Sequence, residues 1–179
     1  MISAGYMAKR VAQKDEWLKS DEVIDIYSVS NCISTNFTDY VKYWKHNGYW
    51  LFDSPELIMK IVNDKSIDMD GVKLFYYEIY ELEYDEIDNQ WLDYDAGLIA
   101  PDVVVPVNKT LEGFDVVTFF SGSRPECSPL SCNHLAEKIK TNQHCLLHSF
   151  DEVKQCLESG LFNDCEPGPF RIFAVYSLA

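Results

Sequence analysis

Apolar residues recur in four segments of this chain with the i, i+3, i+4, i+7 spacing of a buried helix face. The spacing predicts helices at about 36–46, 55–64, 132–140 and 150–160. Runs of β-branched and aromatic residues predict strands at 23–29, 49–52, 74–84, 114–120, 144–147 and 170–178. Each half of the chain therefore has the predicted order strand, helix, strand, helix, strand.

The second half of the chain repeats the first at a constant offset of 95 residues. Identical residues at this offset are the pairs Cys32 and Cys127, Lys45 and Lys140, Asn47 and Asn142, Leu51 and Leu146, Ser54 and Ser149, and Phe75 and Phe170. The apolar helix faces also stay in step over the same interval. We therefore expect an internally duplicated β-α-β-α-β unit.

This order of elements predicts an α/β protein, with α+β as the alternative class. Helical crossovers favour a mixed, partly parallel sheet with packed helices. The duplication favours a pseudo-twofold axis, although one continuous sheet without symmetry is also compatible. The length of 179 residues suits a single compact domain. Within it we expect a first repeat at 21–84, an acidic connector at 85–113 and a second repeat at 114–179.

The composition limits the classes of protein to which this chain can belong and the kinds of partner that it can bind. Apolar residues make up 47% of the chain, yet no apolar run is long enough to form a membrane helix. The first residues lack the apolar stretch of a secretory signal, so we expect a cytoplasmic protein with free thiols. The net charge is −14, and residues 68–102 hold eleven acids and one base. This excess of acids excludes direct nucleic-acid binding.

The acidic connector is the first candidate site. Its predicted partner-binding residues are Asp85, Glu86, Asp88, Trp91, Asp93, Tyr94 and Asp95. The aromatic rings would supply contact energy, and the carboxylates would speed association with a basic protein. This interpretation predicts a binding or regulatory module, of the inhibitor or immunity type. A solvated acidic loop that only keeps the protein soluble is the competing interpretation.

Two cysteines at matching positions are the second candidate site. Cys32 and Cys127 each lie in a loop that leads into a predicted helix, where the helix dipole favours the thiolate. Cys127 would be the nucleophile of a small enzyme or thiol sensor, with His134 or His144 as base and Asn133 as an orienting group. Packing of both thiols beneath their loops is the alternative.

Metal and cofactor sites are not predicted. Six potential zinc ligands crowd one segment, namely Cys127, Cys132, His134, His144, Cys145 and His148. The repeat, however, places Cys132, Cys145 and Cys156 in the register of core residues. A calcium-loop start at 66–71 fails because Tyr77 stands where a glutamate is required. Phosphate-loop, dinucleotide, zincin and hydrolase motifs are also missing from the sequence.

Overall fold

The structure is a computed structural model that describes residues 1–30, 47–94, 102–119 and 125–179. Its strands are β1 (Ile2–Arg10), β2 (Ala12–Gln13), β3 (Asp25–Ile26), β4 (Val72–Ile79), β5 (Leu82–Asp85), β6 (Gln90–Asp93), β7 (Lys109–Thr118) and β8 (Phe170–Leu178). Its helices are α1 (Pro55–Lys65), α2 (Pro129–Cys132) and α3 (Phe150–Glu158), and a 3₁₀ turn spans Leu135–Glu137.

Six strands form one sheet in which every pairing is antiparallel. Strands β1, β4, β8 and β7 lie side by side, and β5 follows β4 along the same edge of β8. Strand β6 pairs with β5 and ends the sheet. The predicted α/β class with a mixed, partly parallel sheet is therefore wrong, and the described chain has a mainly-β fold. The helices do not connect parallel neighbours, which is the crossover the prediction assumed.

The strand register is symmetric about the middle of the sheet. Tyr77 of β4 lies opposite Val175 of β8, and these two residues lie opposite Gly5 of β1 and Gly113 of β7. One row of the sheet therefore contains Gly5, Tyr77, Val175 and Gly113 in that order. Both glycines lie at register shifts, where β1 and β7 each contain a bulge.

A short turn closes on each bulge with the same hydrogen bonds. We call residues 47–52 the first turn and residues 142–147 the second turn. In both, the leading asparagine, Asn47 or Asn142, accepts through Oδ1 the N–H groups two and four residues later, at 2.9 and 3.1 Å. The side-chain amide then donates to the carbonyl of the residue before the bulge glycine. Two predicted short strands, 49–52 and 144–147, are in fact these turns.

The helix that follows each turn begins as the sequence predicts. Ser54 is the N-cap of α1 and Ser149 is the N-cap of α3, and each hydroxyl accepts the backbone N–H of the residue three positions later. The helix predicted at 132–140 is wrong, because α2 ends at Cys132 and only a 3₁₀ turn follows. The helix predicted at 36–46 lies outside the described residues.

Two strand predictions also need correction. The predicted strand at 23–29 is reduced to β3, which pairs with β2 apart from the main sheet. The predicted strand at 74–84 divides into β4 and β5, with a break at Tyr80 and Glu81. The N-terminal residues, which the sequence left undefined, form β1 at one side of the sheet.

Both faces of the sheet are covered, even at the outer strand β1. In β1, Tyr6, Met7, Ala8 and Lys9 are buried in succession, so neither face of this strand meets solvent. Ile58 and Val62 of α1 join one core cluster, and the residues of α3 join a second. Each such side chain contributes about 1.5 to 3 kcal/mol when fully buried. Within the described ranges, no helix has the length and apolar character to cross a membrane.

Candidate functional site

The acidic hairpin formed by β5 and β6 is built around a polar turn. The Asp85 carboxylate accepts the N–H groups of Ile87 at 2.9 Å and Asp88 at 3.2 Å. Asn89 adopts a left-handed conformation, with φ of 53°, and its side chain contacts the Tyr84 hydroxyl. These bonds fix the four-residue connection, and the Ile87 side chain at its tip is left 85% exposed.

Three polar contacts anchor this hairpin to the rest of the protein. Glu83 accepts from Arg171 at 2.9 and 3.0 Å, and Glu86 accepts the Gly168 N–H at 2.7 Å. The Trp91 indole N–H donates to Glu158 of α3 at 2.8 Å. Because the anchors lie on both strands and on the turn, the tip is presented in a defined orientation.

The predicted partner-binding residues occupy two kinds of position. Asp88 and Asp93 are exposed, whereas Asp85 and Glu86 are half-buried and hold the turn and its anchor. Trp91 packs against Tyr80, Tyr84 and Lys154, and Tyr94 packs on Arg171. Asp95 lies outside the described residues. The aromatic rings therefore serve internal contacts, and Ile87 is the exposed apolar residue.

Sequence reasoning missed Ile87, although a signal was present. It is the only apolar residue between Tyr84 and Trp91, and polar residues flank it on both sides. A single apolar residue inside a polar hairpin connection has no partner on its own strands. Such a position is a useful mark of an exposed contact residue.

Arg171 links the hairpin to the centre of the sheet. Its guanidinium lies 3.2 Å from the ring centroid of Tyr94 and 3.9 Å from that of Phe119. Burial lowers the pKa of Arg171, while Tyr94 and the hydrogen-bonded Glu83 oppose that change. Because Glu83 holds only Nε and Nη2, the buried Nη1 has no hydrogen-bond acceptor among the described residues. The contact therefore anchors the hairpin through stacking and one carboxylate.

Cys127 lies on an interior loop and is only 6% exposed. Its Sγ lies 3.7 Å from Asn133 Oδ1, and the same oxygen accepts the Glu166 N–H at 3.2 Å. His134 instead lies 3.3 Å from Glu137 and packs on Trp17. The structure therefore brings Cys127 and Asn133 together, and none of the contacts found among the described residues joins His134 to the thiol. Cys32 lies outside the described residues.

A buried pair of charges lies close to the Cys127 loop. The Lys9 ammonium donates to the carbonyls of Ser28, Val29 and Ser30 at 2.5, 2.8 and 3.2 Å. Asp115 accepts the Val29 N–H at 2.8 Å and contacts the hydroxyl of Ser128, the neighbour of Cys127. Segment 28–30 is therefore held between a lysine of β1 and an aspartate of β7.

Burial shifts the pKa of both groups in this pair. Desolvation lowers the pKa of Lys9 to about 7, although the Asp115 charge opposes it. Desolvation also raises the pKa of Asp115 to about 6, against hydrogen bonds from Ser128 and Val29 and the charge of Lys9. Tyr77 lies in the same electrostatic neighbourhood, and burial raises its pKa well above 10.

His144 is the second histidine proposed as a base, and it lies in the second turn. Its Nδ1 is 2.5 Å from Asp25, its Nε2 is 3.6 Å from Glu112, and its ring stacks on Tyr27 at 4.0 Å. It borders an open depression of about 440 Å³ together with Glu22, Lys140 and His148. Because the second turn also bonds to residues 24–27 through its backbone, the Asp25–His144 contact fastens β3 to the sheet.

The remaining thiols and imidazoles do not form a metal centre in the described parts of the chain. No group of three or more potential ligands lies together there. Cys145 and Cys156 are buried in the second core cluster, and burial raises the pKa of both thiols. Cys132 is half-buried.

No protein-family model, curated protein or solved structure matches this chain. Its function is therefore inferred from the residues described above.

Proposed function

We propose that this protein binds a basic protein partner through the β5–β6 hairpin. The observation that carries the proposal is the exposed Ile87 at the tip of an anchored hairpin, between the carboxylates of Asp85 and Asp88. An apolar contact residue surrounded by charge is the common arrangement at protein interfaces, where the apolar centre supplies affinity. Because the hairpin is already ordered, little conformational entropy is lost on binding.

Charge supports the same function. Residues 68–102 carry eleven acids and one base, and the hairpin lies within this segment. Such a field speeds the encounter with a basic surface, and salt weakens it. A module that covers a basic site on its partner acts as an inhibitor or an immunity-type protein.

The proposal is tested with a variant that removes the tip and its exposed acids, Ile87→Ser with Asp88→Asn and Asp93→Asn. Asp85 is kept because its carboxylate holds the turn. The protein is immobilised and exposed to an extract of the cells that encode it, at increasing salt. A basic protein should be retained by the wild type at low salt and released as salt rises, and the triple variant should lose it.

The matched control neutralises two exposed acids elsewhere, Asp64→Asn with Asp164→Asn. It should retain the partner with at most a small loss, because these acids lie outside the hairpin. Equal retention by the triple variant and the wild type would contradict the proposal.

The alternative function, a cysteine-dependent enzyme or thiol sensor, has less support. Cys127 is nearly inaccessible, and His134 is engaged by Glu137 and Trp17. Iodoacetamide at neutral pH would favour that alternative only if it modified Cys127 or Cys32 well before the other four thiols.

A further inference from the structure

Within the described residues, strand β6 ends the main sheet with an open edge. Its residues pair with β5 on one side, from Leu82 opposite Asp93 to Asp85 opposite Gln90. On the other side, no described strand pairs with it. Every second N–H and C=O of β6 therefore points away from the sheet, as in any terminal strand.

The other two outer strands have obstructed edges. Strand β1 is bulged between Ser3 and Gly5 and is bridged at Tyr6 by Phe52 of the first turn. Strand β7 is bulged before Gly113 and is bridged at Phe114 by the second turn and at Thr118 by Cys127. Bulges and bridging turns prevent an incoming strand from pairing. Among the outer strands described, β6 alone has neither obstruction.

The charges beside β6 decide which strand it accepts. Asp88 precedes it, Asp93 ends it, and both are exposed. A second copy of this chain, with its own net charge of −14, is repelled by these carboxylates. A strand with basic side chains is attracted by the same carboxylates, so charge selects a basic polypeptide.

We propose that the basic partner adds an extended segment to the sheet along the open edge of β6. This inference rests on the proposed function and names the way in which the partner docks. Main-chain hydrogen bonds supply affinity in strand addition, and alternating side chains supply specificity. On β6, Trp91 and Asp93 share one face and Gln90 and Leu92 share the other. The fitting segment therefore alternates basic residues, facing Asp93, with apolar residues facing Leu92.

The probe for this inference is the peptide acetyl-Lys-Val-Lys-Val-Lys-Val-amide, with acetyl-Lys-Lys-Lys-Val-Val-Val-amide as a control of equal composition. Binding to the full chain is measured by calorimetry, and hydrogen exchange is followed at the amides of residues 90–93. The alternating peptide should bind about tenfold more tightly than the control and should slow exchange in β6, because only it matches the strand period.

Backbone pairing is separated from charge attraction with two N-methylated forms of the alternating peptide. One is methylated on the lysine amides and the other on the valine amides, and both keep the full charge. At least one should bind about tenfold more weakly, since it loses the hydrogen bonds along the paired edge. If both bind as tightly as the parent, or if the parent fails to bind, strand addition along β6 is wrong.

The variant Asp88→Asn with Asp93→Asn distinguishes this failure from failure of the proposed function. If the substitutions weaken binding of all peptides while N-methylation has no effect, the acidic contact is supported and strand addition is contradicted. If the substitutions leave binding of the alternating peptide unchanged, the contact proposed for the hairpin itself is contradicted.

Discussion

The two strand-and-turn units of the sheet, β1 with the first turn and β7 with the second turn, have the same backbone bonds but different side chains. Both contain a bulge glycine at positive φ, and both close on it with an asparagine turn. The buried charges differ in sign, since β1 supplies Lys9 and β7 supplies Asp115. Backbone geometry at these positions is therefore shared, while the interior chemistry is specific to each unit.

The first turn and the second turn also share their backbone geometry and differ in their side-chain contacts. Trp50 and Cys145 occupy equivalent positions and both have φ of 61°. Beside them, Tyr49 is buried and packs on Tyr94, whereas His144 contacts Asp25. An identical hydrogen-bond pattern thus supports an apolar core in one unit and a polar contact in the other.

The largest expected effect comes from the residues that distinguish the two units. Lys9→Met and Asp115→Ala should each lower the free energy of unfolding by about 3 to 5 kcal/mol, because either change leaves a buried charge uncompensated. The double variant should lose less than the sum of the single losses. Urea unfolding of the four proteins measures both quantities.

Lys60→Met, at an exposed position, is the control and should change stability by less than about 0.5 kcal/mol. Strict additivity would show that the two charges do not interact.

The shared geometry is tested by Gly5→Ala and Gly113→Ala. A Cβ at either position would lie 2.8 Å from a leucine Cβ and 2.7 or 2.8 Å from a carbonyl oxygen, at φ of 136° or 148°. Each change should lower the free energy of unfolding by about 2 to 5 kcal/mol, and the two losses should be similar. Gly71→Ala is the control, since its nearest contact is 3.8 Å away and only the backbone strain remains. A loss at Gly5 or Gly113 no larger than that at Gly71 would contradict the equivalence of the bulges.

Substitution of either turn asparagine should lower stability, by similar but unequal amounts. Asn47→Ala and Asn142→Ala each leave two turn N–H groups without their acceptor, at a cost of about 2 to 3 kcal/mol. Asn47 should cost slightly more, because its amide also donates to Asp53 at 3.0 Å. The measurement is the midpoint of thermal unfolding, with the exposed Asn63→Ala as control. A loss in one unit only would show that the turns are not equivalent.

The smallest effect expected is a change of stability with pH. The pKa of Asp115 is raised from 3.8 to about 6 in the folded protein, so the folded state binds more protons than the unfolded state between these pH values. Its contribution to stability therefore falls as pH rises from about 4 to 6. The free energy of unfolding of the wild type relative to Asp115→Asn should fall by about 2 kcal/mol across that interval. A difference independent of pH would contradict the raised pKa.

The lowered pKa of Lys9 changes stability in the opposite direction, so that stability rises with pH at higher pH. Its pKa is lowered from 10.5 to about 7, so the unfolded state binds more protons between these values, and stability rises with pH there. Together the two residues lower the free energy of unfolding most between about pH 6 and 7, where both side chains are buried in their charged forms.

Local signals in the sequence predicted part of this fold correctly. Ser54 with Pro55, and Ser149 with Glu152, are residues whose side chains act on the backbone next to them, so they marked the starts of α1 and α3. The last strand was also predicted, because Pro167 and Pro169 exclude a helix before Phe170.

Strand order and β1 could not be predicted in the same way. Six consecutive residues of β1, from Ala4 to Lys9, are buried, and Gly5 interrupts the strand with a bulge, so no alternation of apolar and polar residues remains. The first turn and the second turn contain short apolar runs, at 49–52 and 144–147, that resemble strands. The helical crossovers predicted between strands followed from those runs and led to the wrong fold class. Antiparallel pairing depends on contacts far apart in sequence, to which local patterns are insensitive.

The acidic character of the candidate site was evident from Asp85, Asp88 and Asp93, because charge is a property of composition. The role of each of these residues was not evident from the sequence, because it depends on how the strands pair. Trp91 and Tyr94 meet α3 and Arg171 only after the hairpin closes on β8, and the same closure exposes Ile87.

The position of β8 has a consequence for how the protein is made. This strand pairs with β4, β5 and β7, yet it is the last of these strands to be synthesised. Until the ribosome has completed it, the nascent chain holds a β4 and a β7 that each lack their central neighbour. Two unpaired strand edges are then present on one unfinished chain, and unpaired edges favour contact with other nascent chains.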